Sequence, residues 1–207
     1  LRNAVLHEHR TPVAVDVGYG ASHTTTCEWA RWLRTIAPTV DVTGLEIEPS
    51  RVLPDREGVH FALGGFELAG VQADVVRAFN VLRQYDVDQV QAAWDVMRAN
   101  LRPGGVIIEG TCDEIGRRSC WVLLDEQGPQ SLTLAWDPQD IETPSDLAER
   151  LPKVLIHRNT PGHRIYDVLA ELDRCWEHAA PLAVFGPRVR WRLSLIHISE
   201  PTRPLYI

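Results

Sequence analysis

The segment from Thr11 to Ser22 joins a short apolar run to a turn rich in glycine, and this junction constrains the fold more than any other feature. The run TPVAVDV ends at Val17, and Gly18 and Gly20 follow it closely. A continuous run of β-branched and apolar residues is typical of a strand buried on both faces. Glycine lets the backbone turn tightly and approach a ligand, because no Cβ atom intervenes. The junction therefore predicts a strand, a turn and a helix that meet at a ligand site.

Strand-like and helix-like segments alternate from this junction to Gly110. The predicted strands are Thr11–Val17, Val40–Ile47, Val59–Leu63, Ala73–Val81 and Gly105–Gly110. The predicted helices run from Ser22 to Pro38, where proline ends the apolar periodicity, and from Asp88 to Leu101. Such alternation predicts an α/β fold, a three-layer sandwich with a mostly parallel central sheet, in which ligands bind at the carboxyl ends of the strands.

The rest of the chain gives fewer signals. Cys120–Leu124 and Ser131–Trp136, joined by DEQGPQ, predict an antiparallel hairpin at one edge of the sheet. Apolar residues recur at helical spacing over Ile165–Ala179, and Leu182–Phe185 is predicted as a last strand. No repeat or clear linker separates these segments, so we expect a single domain over residues 1–192.

Both ends of the chain are set apart from this fold. The chain begins at Leu1 rather than at methionine, so we expect an N-terminal segment to be missing. Near the other end, Leu193–Arg203 (LSLIHISEPTR) resembles a translated reading frame of a transposon-end sequencing adapter. We therefore expect residues 193–207 to be a non-native tail.

The charge and cysteine content disfavour several classes of partner. The chain carries a formal net charge of −7, whereas binding to nucleic acid or anionic membranes relies on clustered lysine and arginine. The cysteines lie far apart and form no CxxC pair, so neither a zinc site nor a disulfide framework is predicted. No apolar stretch is long enough to span a bilayer. We expect a cytoplasmic protein without metal or membrane partners, with a small-molecule substrate favoured and nucleic acid left open.

Two acidic residues accompany the glycine turn. Asp16 precedes Gly18 by two residues, and a carboxylate at this point suits a ligand that carries positive charge. Glu46 lies at the end of the second predicted strand, where a carboxylate can accept hydrogen bonds from both hydroxyls of a ribose. Asn100–Gly110 (NLRPGGVIIEG) joins a helix to a strand through an Arg-Pro-Gly-Gly turn. Together these features predict a site for a positively charged adenosyl ligand.

From Thr11 to Gly110 these motifs resemble, in order and spacing, those of class I S-adenosylmethionine-dependent methyltransferases. The Leu-x-Pro-Gly-Gly sequence before the fifth strand is the most specific of them. The resemblance implies a Rossmann-like fold, S-adenosylmethionine as cofactor, and transfer of its methyl group to an unidentified acceptor. In that family the glycine turn borders the methionine part of the cofactor, the acid on strand two holds the ribose, and the backbone after strand three flanks adenine. The cofactor-binding residues implied here are Asp16, Gly18, Tyr19, Gly20, Glu46, Ile47, Gly64 and Asn80.

The sequence departs from the family pattern at three points. Ser22 stands where a third glycine is usual, and its hydroxyl can cap the following helix. Gly64-Gly65 replaces the acidic residue that often meets adenine, which leaves adenine recognition to backbone groups or to Glu67. Val81 follows Asn80 instead of the Pro-Pro pair found in amino-methyltransferases of nucleic acids. The sequence therefore does not assign a nucleobase as acceptor.

The acceptor is expected to lie beyond the fourth and fifth strands. Methyl transfer from a sulfonium depends mainly on positioning and desolvation, so a catalytic base is not obligatory and none is assigned. Two other functions fit the same residues: an NAD(P)-dependent oxidoreductase, in which Glu46 would hold a nicotinamide ribose, and a non-catalytic protein of the same fold that binds the cofactor or a protein partner. The candidate acceptor-facing residues are Arg77, Asn80, Tyr85, Glu109, Cys112 and Asp113.

Overall fold

The computed structural model describes the backbone of residues 11–198 and the side chains of residues 11–195. The strands are β1 (Val13–Val17), β2 (Asp41–Glu46), β3 (Val59–Leu63), β4 (Ala73–Phe79), β5 (Leu101–Cys112), β6 (Arg118–Asp125) and β7 (Gly128–Trp136). The α-helices are α1 (Thr24–Arg34), α2 (Val87–Ala99), α3 (Lys153–Ile156), α4 (Arg164–His178) and α5 (Pro187–Ile198). Short 3-10 helices lie at Pro49–Arg51, Leu68–Gly70, Leu82–Gln84, Pro144–Arg150 and Ala180–Phe185.

Within residues 11–198, the strands form one seven-stranded sheet in the order β3-β2-β1-β4-β5-β6-β7. The pairs β1 with β2, β1 with β4, β2 with β3, and β4 with β5 are all parallel. The strand order reverses between β1 and β4, and open α/β sheets bind ligands at the carboxyl ends of the strands beside such a reversal. This mostly parallel sheet with flanking helices confirms the predicted Rossmann-like α/β fold.

The last three strands follow each other without a helix between them. Asp113–Arg117 joins β5 to β6, and only Glu126 and Gln127 join β6 to β7. Connections this short cannot return the chain for a parallel pairing, so these strands are antiparallel neighbours. The predicted hairpin at one edge of the sheet is confirmed, with strands longer than their apolar patterns indicate.

α1 packs on one face of the sheet. Cys27, Ala30 and Leu33 are spaced by three positions, so they lie on one side of the helix and are buried. They belong to the same core cluster as Ala14 of β1 and as side chains from β2, β3 and β4. Alternate residues of a strand share a face. Asp16 of β1 therefore lies on the face of the sheet that α1 covers.

The boundary between α2 and β5 differs from the sequence prediction. α2 ends at Ala99 rather than at Leu101, because Leu101 pairs with Ala73 at the start of β5. The register then shifts, and the next partners are Val75 and Val106. The Arg-Pro-Gly-Gly turn is thus a bulge inside β5 rather than a separate loop before it.

The chain divides into two compact units. The first comprises Leu1–Gly110 with Val122–Ser131, and the second comprises Thr111–Trp121 with Leu132–Ile207. The glycine turn and the acidic residues near it all belong to the first unit. The single domain expected over residues 1–192 stays a prediction.

In the second unit, α4 supplies one side of the core. The helix predicted over Ile165–Ala179 is confirmed, since α4 covers Arg164–His178. The strand predicted over Leu182–Phe185 is wrong, because these residues lie in the 3-10 helix Ala180–Phe185. Pro181 favours the first turn of a helix, and the side chain of Phe185 is exposed rather than packed in a sheet.

The final described helix reaches into the segment that resembles an adapter. Residues 193–198 belong to α5, and residues 199–207 lie outside the described part of the chain. The non-native origin of residues 193–207 stays a prediction. Among the helices of residues 11–198, none combines the length and apolar character needed to cross a bilayer.

Candidate functional site

The glycine turn after β1 is built from two glycines with different surroundings. Both have left-handed backbone angles, with φ of 71° at Gly18 and 78° at Gly20. The Gly18 N–H donates to the Leu45 carbonyl of β2 over 2.7 Å. A Cβ atom at Gly18 would lie 2.5 Å from Cγ2 of Val81, whereas one at Gly20 would meet no atom within 4 Å. Gly18 is thus required by internal packing, and Gly20 borders open space.

Glu46 fastens the end of β2 to this turn. Its side chain is buried, and Oε2 accepts a hydrogen bond from the Gly20 N–H over 3.0 Å. Oε1 accepts from the N–H groups of Ile47 and Glu48 over 3.0 and 3.1 Å. A carboxylate offers about four acceptor positions. Three backbone donors therefore leave Glu46 about one position for a ligand, which is fewer than bidentate contact with both ribose hydroxyls needs.

Asp16 forms an internal ion pair. Arg77 of β4 binds it in a bidentate manner, with Nε to Oδ1 at 2.8 Å and Nη2 to Oδ2 at 2.5 Å. The Thr26 hydroxyl, in the first turn of α1, also donates to Oδ2 over 2.6 Å. The guanidinium of Arg77 stacks on Trp29, with Cζ 4.6 Å from the ring centroid. The negative charge of Asp16 is therefore directed at Arg77 and not at the space beside the turn.

The two acids lie at the carboxyl ends of neighbouring strands on one face of the sheet. Asp16 is level with Gly44 of β2, and Glu46 follows Gly44 by two residues. The structure thus brings them to the same edge, as the sequence predicts. It also shows why sequence analysis missed Arg77, Thr26 and Trp29 as partners of Asp16: their contacts depend on strand register and on how α1 packs.

Tyr19 has a structural role through its side chain. Its ring packs edge-on against Phe61 with centroids 4.9 Å apart. Its hydroxyl accepts from the Leu53 N–H over 2.9 Å and donates to the Arg51 carbonyl over 3.2 Å. Burial raises the pKa of Tyr19 above its ordinary value. Only the backbone of Tyr19 remains in the turn as a candidate for ligand contact.

Residues after β2 and β3 complete this edge. The Ile47 side chain is 67% exposed although it directly follows buried Glu46. The Gly64 N–H donates to the Glu46 carbonyl over 3.1 Å. Glu67 accepts from the Gly65 N–H over 2.8 Å, and this bond lowers the pKa of Glu67. The Glu67 carboxylate therefore binds the backbone of its own loop.

The residue that directly follows the carboxyl end of β4 has a strained backbone. Asn80 has a left-handed φ of 62°, which asparagine tolerates better than most residues. Its N–H donates to the Gly110 carbonyl of β5 over 2.8 Å. Tyr85 packs edge-on against Phe66, with ring centroids 5.3 Å apart. Of the acceptor-facing candidates, Asn80 and Tyr85 are only partly buried.

Glu109 of β5 is buried without a partner. Its side chain is 1% exposed, and neither carboxylate oxygen has a hydrogen-bond partner among the described residues. Burial raises its pKa to about 7, and the neighbouring Trp94 indole of α2 offsets part of that rise. Glu109 thus lies buried inside the first unit, and its role as an acceptor-facing residue stays a prediction.

The remaining acceptor-facing candidates belong to the second unit. Asp113 accepts from the backbone N–H groups of Arg117 and Arg118 over 2.8 and 3.2 Å, which closes the turn after β5. Cys112 is half-buried. Among residues 11–198, no group of three or more His, Cys, Asp or Glu side chains is arranged to hold a metal ion.

Comparison with known proteins finds distant structural similarities to methyltransferases. No protein-family model and no curated protein matches the chain. Mitomycin 7-O-methyltransferase MmcR shares 21% identity over 49% of this chain and 31% of its own, with a TM-score of 0.39. CalO1, a methyltransferase of calicheamicin biosynthesis solved with S-adenosylhomocysteine, shares 17% identity over 49% of this chain and 31% of its own, with a TM-score of 0.40. Human N-acetylserotonin methyltransferase, solved with S-adenosylmethionine, shares 23% identity over 51% of this chain and 32% of its own, with a TM-score of 0.39.

The chain spans about a third of the length of each of these three proteins. Similarity of this extent transfers neither their reactions nor their substrates to this chain.

Proposed function

We propose that the first unit binds S-adenosylmethionine at the glycine turn and transfers its methyl group to a small-molecule acceptor. The observation that carries this proposal is the hydrogen bond from the Gly20 N–H to the Glu46 carboxylate. This bond joins the ends of β1 and β2 into one edge at the point where Gly20 borders open space. Together with the motifs of the first 110 residues, that edge supports an adenosyl ligand beside the reversal of strand order.

The groups along this edge fit the cofactor. Gly20 lets a ligand approach the backbone closely, because no side chain fills the space beside it. Glu46 retains about one acceptor position for a ribose hydroxyl. The exposed side chain of Ile47 offers an apolar surface on which a flat heteroaromatic base can pack.

The proposed reaction needs little acid–base catalysis from the protein. S-adenosylmethionine supplies a methyl group on a positively charged sulfur. The chain holds the acceptor in line with that group and excludes water, which needs no obligatory base. The net charge of −7 favours a small acceptor over a polyanion, since no excess of cations is present to bind phosphates.

Thermal unfolding with and without ligand tests the cofactor assignment. S-adenosylhomocysteine at about a hundred times its dissociation constant stabilises a protein by about 2.7 kcal/mol. For a chain of this length we expect the melting temperature to rise by about 5 to 10 °C. Reduced nicotinamide dinucleotides are the competing ligands. A shift with the dinucleotides and none with S-adenosylhomocysteine would support the oxidoreductase alternative and reject the proposal.

Two glycine variants locate the site. Gly20 and Gly104 have φ of 78° and 77°, and a Cβ at either would meet no atom within 4 Å. Each alanine substitution should therefore cost about 1 to 2 kcal/mol from backbone strain alone. Gly104 lies in the bulge near the start of β5, at the opposite end of the sheet. We expect Gly20→Ala to abolish the shift caused by S-adenosylhomocysteine and Gly104→Ala to retain it; the same response in both variants would exclude the glycine turn.

A further inference from the structure

We propose that Arg77 binds the carboxylate of the ligand's amino-acid end, and that Asp16 is a positioning residue that acts through Arg77. This inference rests on the proposed function, since it concerns the same ligand at the same turn. It reverses the expectation from sequence that Asp16 itself meets the positive charge of the ligand.

The guanidinium of Arg77 has donors to spare. Nε and Nη2 donate to the two oxygens of Asp16. Among residues 11–198, no group accepts a hydrogen bond from Nη1, which carries two N–H donors. The Arg77 side chain is 18% exposed, whereas that of Asp16 is only 4% exposed. The part of the pair that an incoming group can reach is therefore the cation.

The acceptors of Asp16 are almost fully used. Its carboxylate accepts two bonds from Arg77 and one from Thr26, out of about four positions. Displacing Arg77 from it would leave a buried charge without a partner, which is strongly unfavourable. A ligand ammonium group therefore has little to gain at Asp16. A ligand carboxylate can bind Nη1 without breaking the pair.

The side chain of Arg77 is held in one orientation. Asp16 grips one edge of the guanidinium, and Trp29 packs against its flat face at 4.6 Å. The planar donor array of arginine loses little further freedom when it binds a carboxylate from such a position. This arrangement differs from a surface arginine, whose mobile side chain must be ordered by the ligand.

Arg77 also lies close enough to the glycine turn. It is level with Asp16 across the β1–β4 pair. Two residues of extended chain, which span at most about 7 Å, separate Asp16 from Gly18. The guanidinium and the glycine turn therefore lie at the same edge of the sheet, where an amino-acid group attached to an adenosyl ligand is also placed by the proposed function.

Ligand truncation combined with substitution of Arg77 tests this inference by calorimetry. The probes are S-adenosylhomocysteine, its decarboxylated form, which lacks only the carboxylate, and methylthioadenosine, which lacks the whole amino-acid end. We expect Arg77→Gln to weaken binding of S-adenosylhomocysteine by about 10- to 100-fold, as loss of a hydrogen bond to a charged group predicts. Binding of the other two probes should change by less than about threefold, and this also reports that the variant is folded.

Further variants separate positioning from direct contact. Arg77→Lys keeps the charge but replaces the planar donor array with one ammonium group that Asp16 and the ligand must share, so we expect an intermediate loss. Asp16→Asn should also weaken S-adenosylhomocysteine selectively, and the double variant should bind no worse than Arg77→Gln alone, because both act through one group. The matched control is Arg102→Gln, which breaks an ion pair with buried Asp74 at the start of β4, far from the turn. All three probes should bind this control as they bind the wild type.

The outcomes are distinguishable. If Arg77→Gln weakens all three probes equally, or none of them, the carboxylate assignment is overturned while adenosyl binding stands. If the wild type binds neither S-adenosylhomocysteine nor methylthioadenosine, the proposed function itself is rejected, and this inference with it.

Discussion

The glycine turn and β5 both have buried acidic side chains in the first unit, but the hydrogen bonding of these side chains differs. At the turn, Asp16 and Glu46 each accept three hydrogen bonds. On β5, Glu109 has no hydrogen-bond partner among the described residues, and burial raises its pKa to about 7. The two regions therefore bury carboxyl groups with very different numbers of hydrogen-bond donors around them.

The contrast also separates two kinds of site. At the turn the protein holds hydrogen-bonded carboxyl groups in fixed positions, which suits recognition of a polar ligand. On β5 a carboxyl group that lacks donors is neutral at mildly acidic pH and ionised only at a cost to the fold. No charged side chain contributes to the shift at Glu109, so burial is its main cause.

The largest effect is expected for Asp16→Ala. This change leaves the guanidinium of Arg77 without its partner, and breaking a buried pair from one side costs about 3 to 5 kcal/mol. We expect the melting temperature to fall by roughly 10 °C. The double variant Asp16→Ala with Arg77→Met should recover most of this loss, because it removes the orphaned charge. A loss below about 1 kcal/mol in the single variant would contradict the ion pair.

Glu109→Gln should change how stability depends on pH. Because the folded pKa of about 7 lies above the ordinary value of 4.5, the unfolded chain ionises first as pH rises. Wild-type stability should therefore fall between about pH 4.5 and pH 7, by about 3 kcal/mol in total. The variant should lack this fall. Urea unfolding at several pH values measures it, with Glu126→Gln on the surface as control; parallel curves for Glu109→Gln and wild type would refute the burial of an ionisable group.

Glu46→Gln should cost less, at about 2 kcal/mol near neutral pH. The amide replaces one acceptor oxygen with a donor that faces a backbone N–H, so a donor is left unsatisfied. Binding of S-adenosylhomocysteine should weaken in the same variant. The neighbouring Glu48→Gln is the matched control, because Glu48 is exposed and its substitution should alter neither quantity. Chemical unfolding and calorimetry measure the two effects, and unchanged stability in Glu46→Gln would remove its role in holding the turn.

The smallest effect is expected for Trp94→Phe. The indole of Trp94 lowers the pKa of Glu109 in part, so removal of its N–H should raise that pKa further. The pH range over which stability falls should extend to higher pH. At neutral pH the free energy of unfolding should change by less than about 1 kcal/mol. Trp29→Phe, on the other helix, should leave that range unchanged. If that pH range moves to lower pH in Trp94→Phe, the indole does not stabilise the carboxylate.

Sequence patterns located the glycine turn because its parts are neighbours in the chain. The run TPVAVDV and the glycines after it predict β1 and the turn with nearly correct ends. The edge hairpin was also predicted, since its two strands are separated by a short turn. Leu182–Phe185 does not form the predicted strand, because a short apolar run has no periodicity that separates a strand from a helical turn, and Pro181 favours the helical turn.

The amino-acid order thus determined where β1 ends, where the turn bends and which acids stand beside it. Only the tertiary structure decided what those acids do. Asp16 meets Arg77 across 61 positions of chain, and Glu109 is buried on β5 with no hydrogen-bond partner among the described residues. The reason is physical: the state of a carboxyl group depends on the donors and water within a few ångströms, and strand register and helix packing bring those groups there.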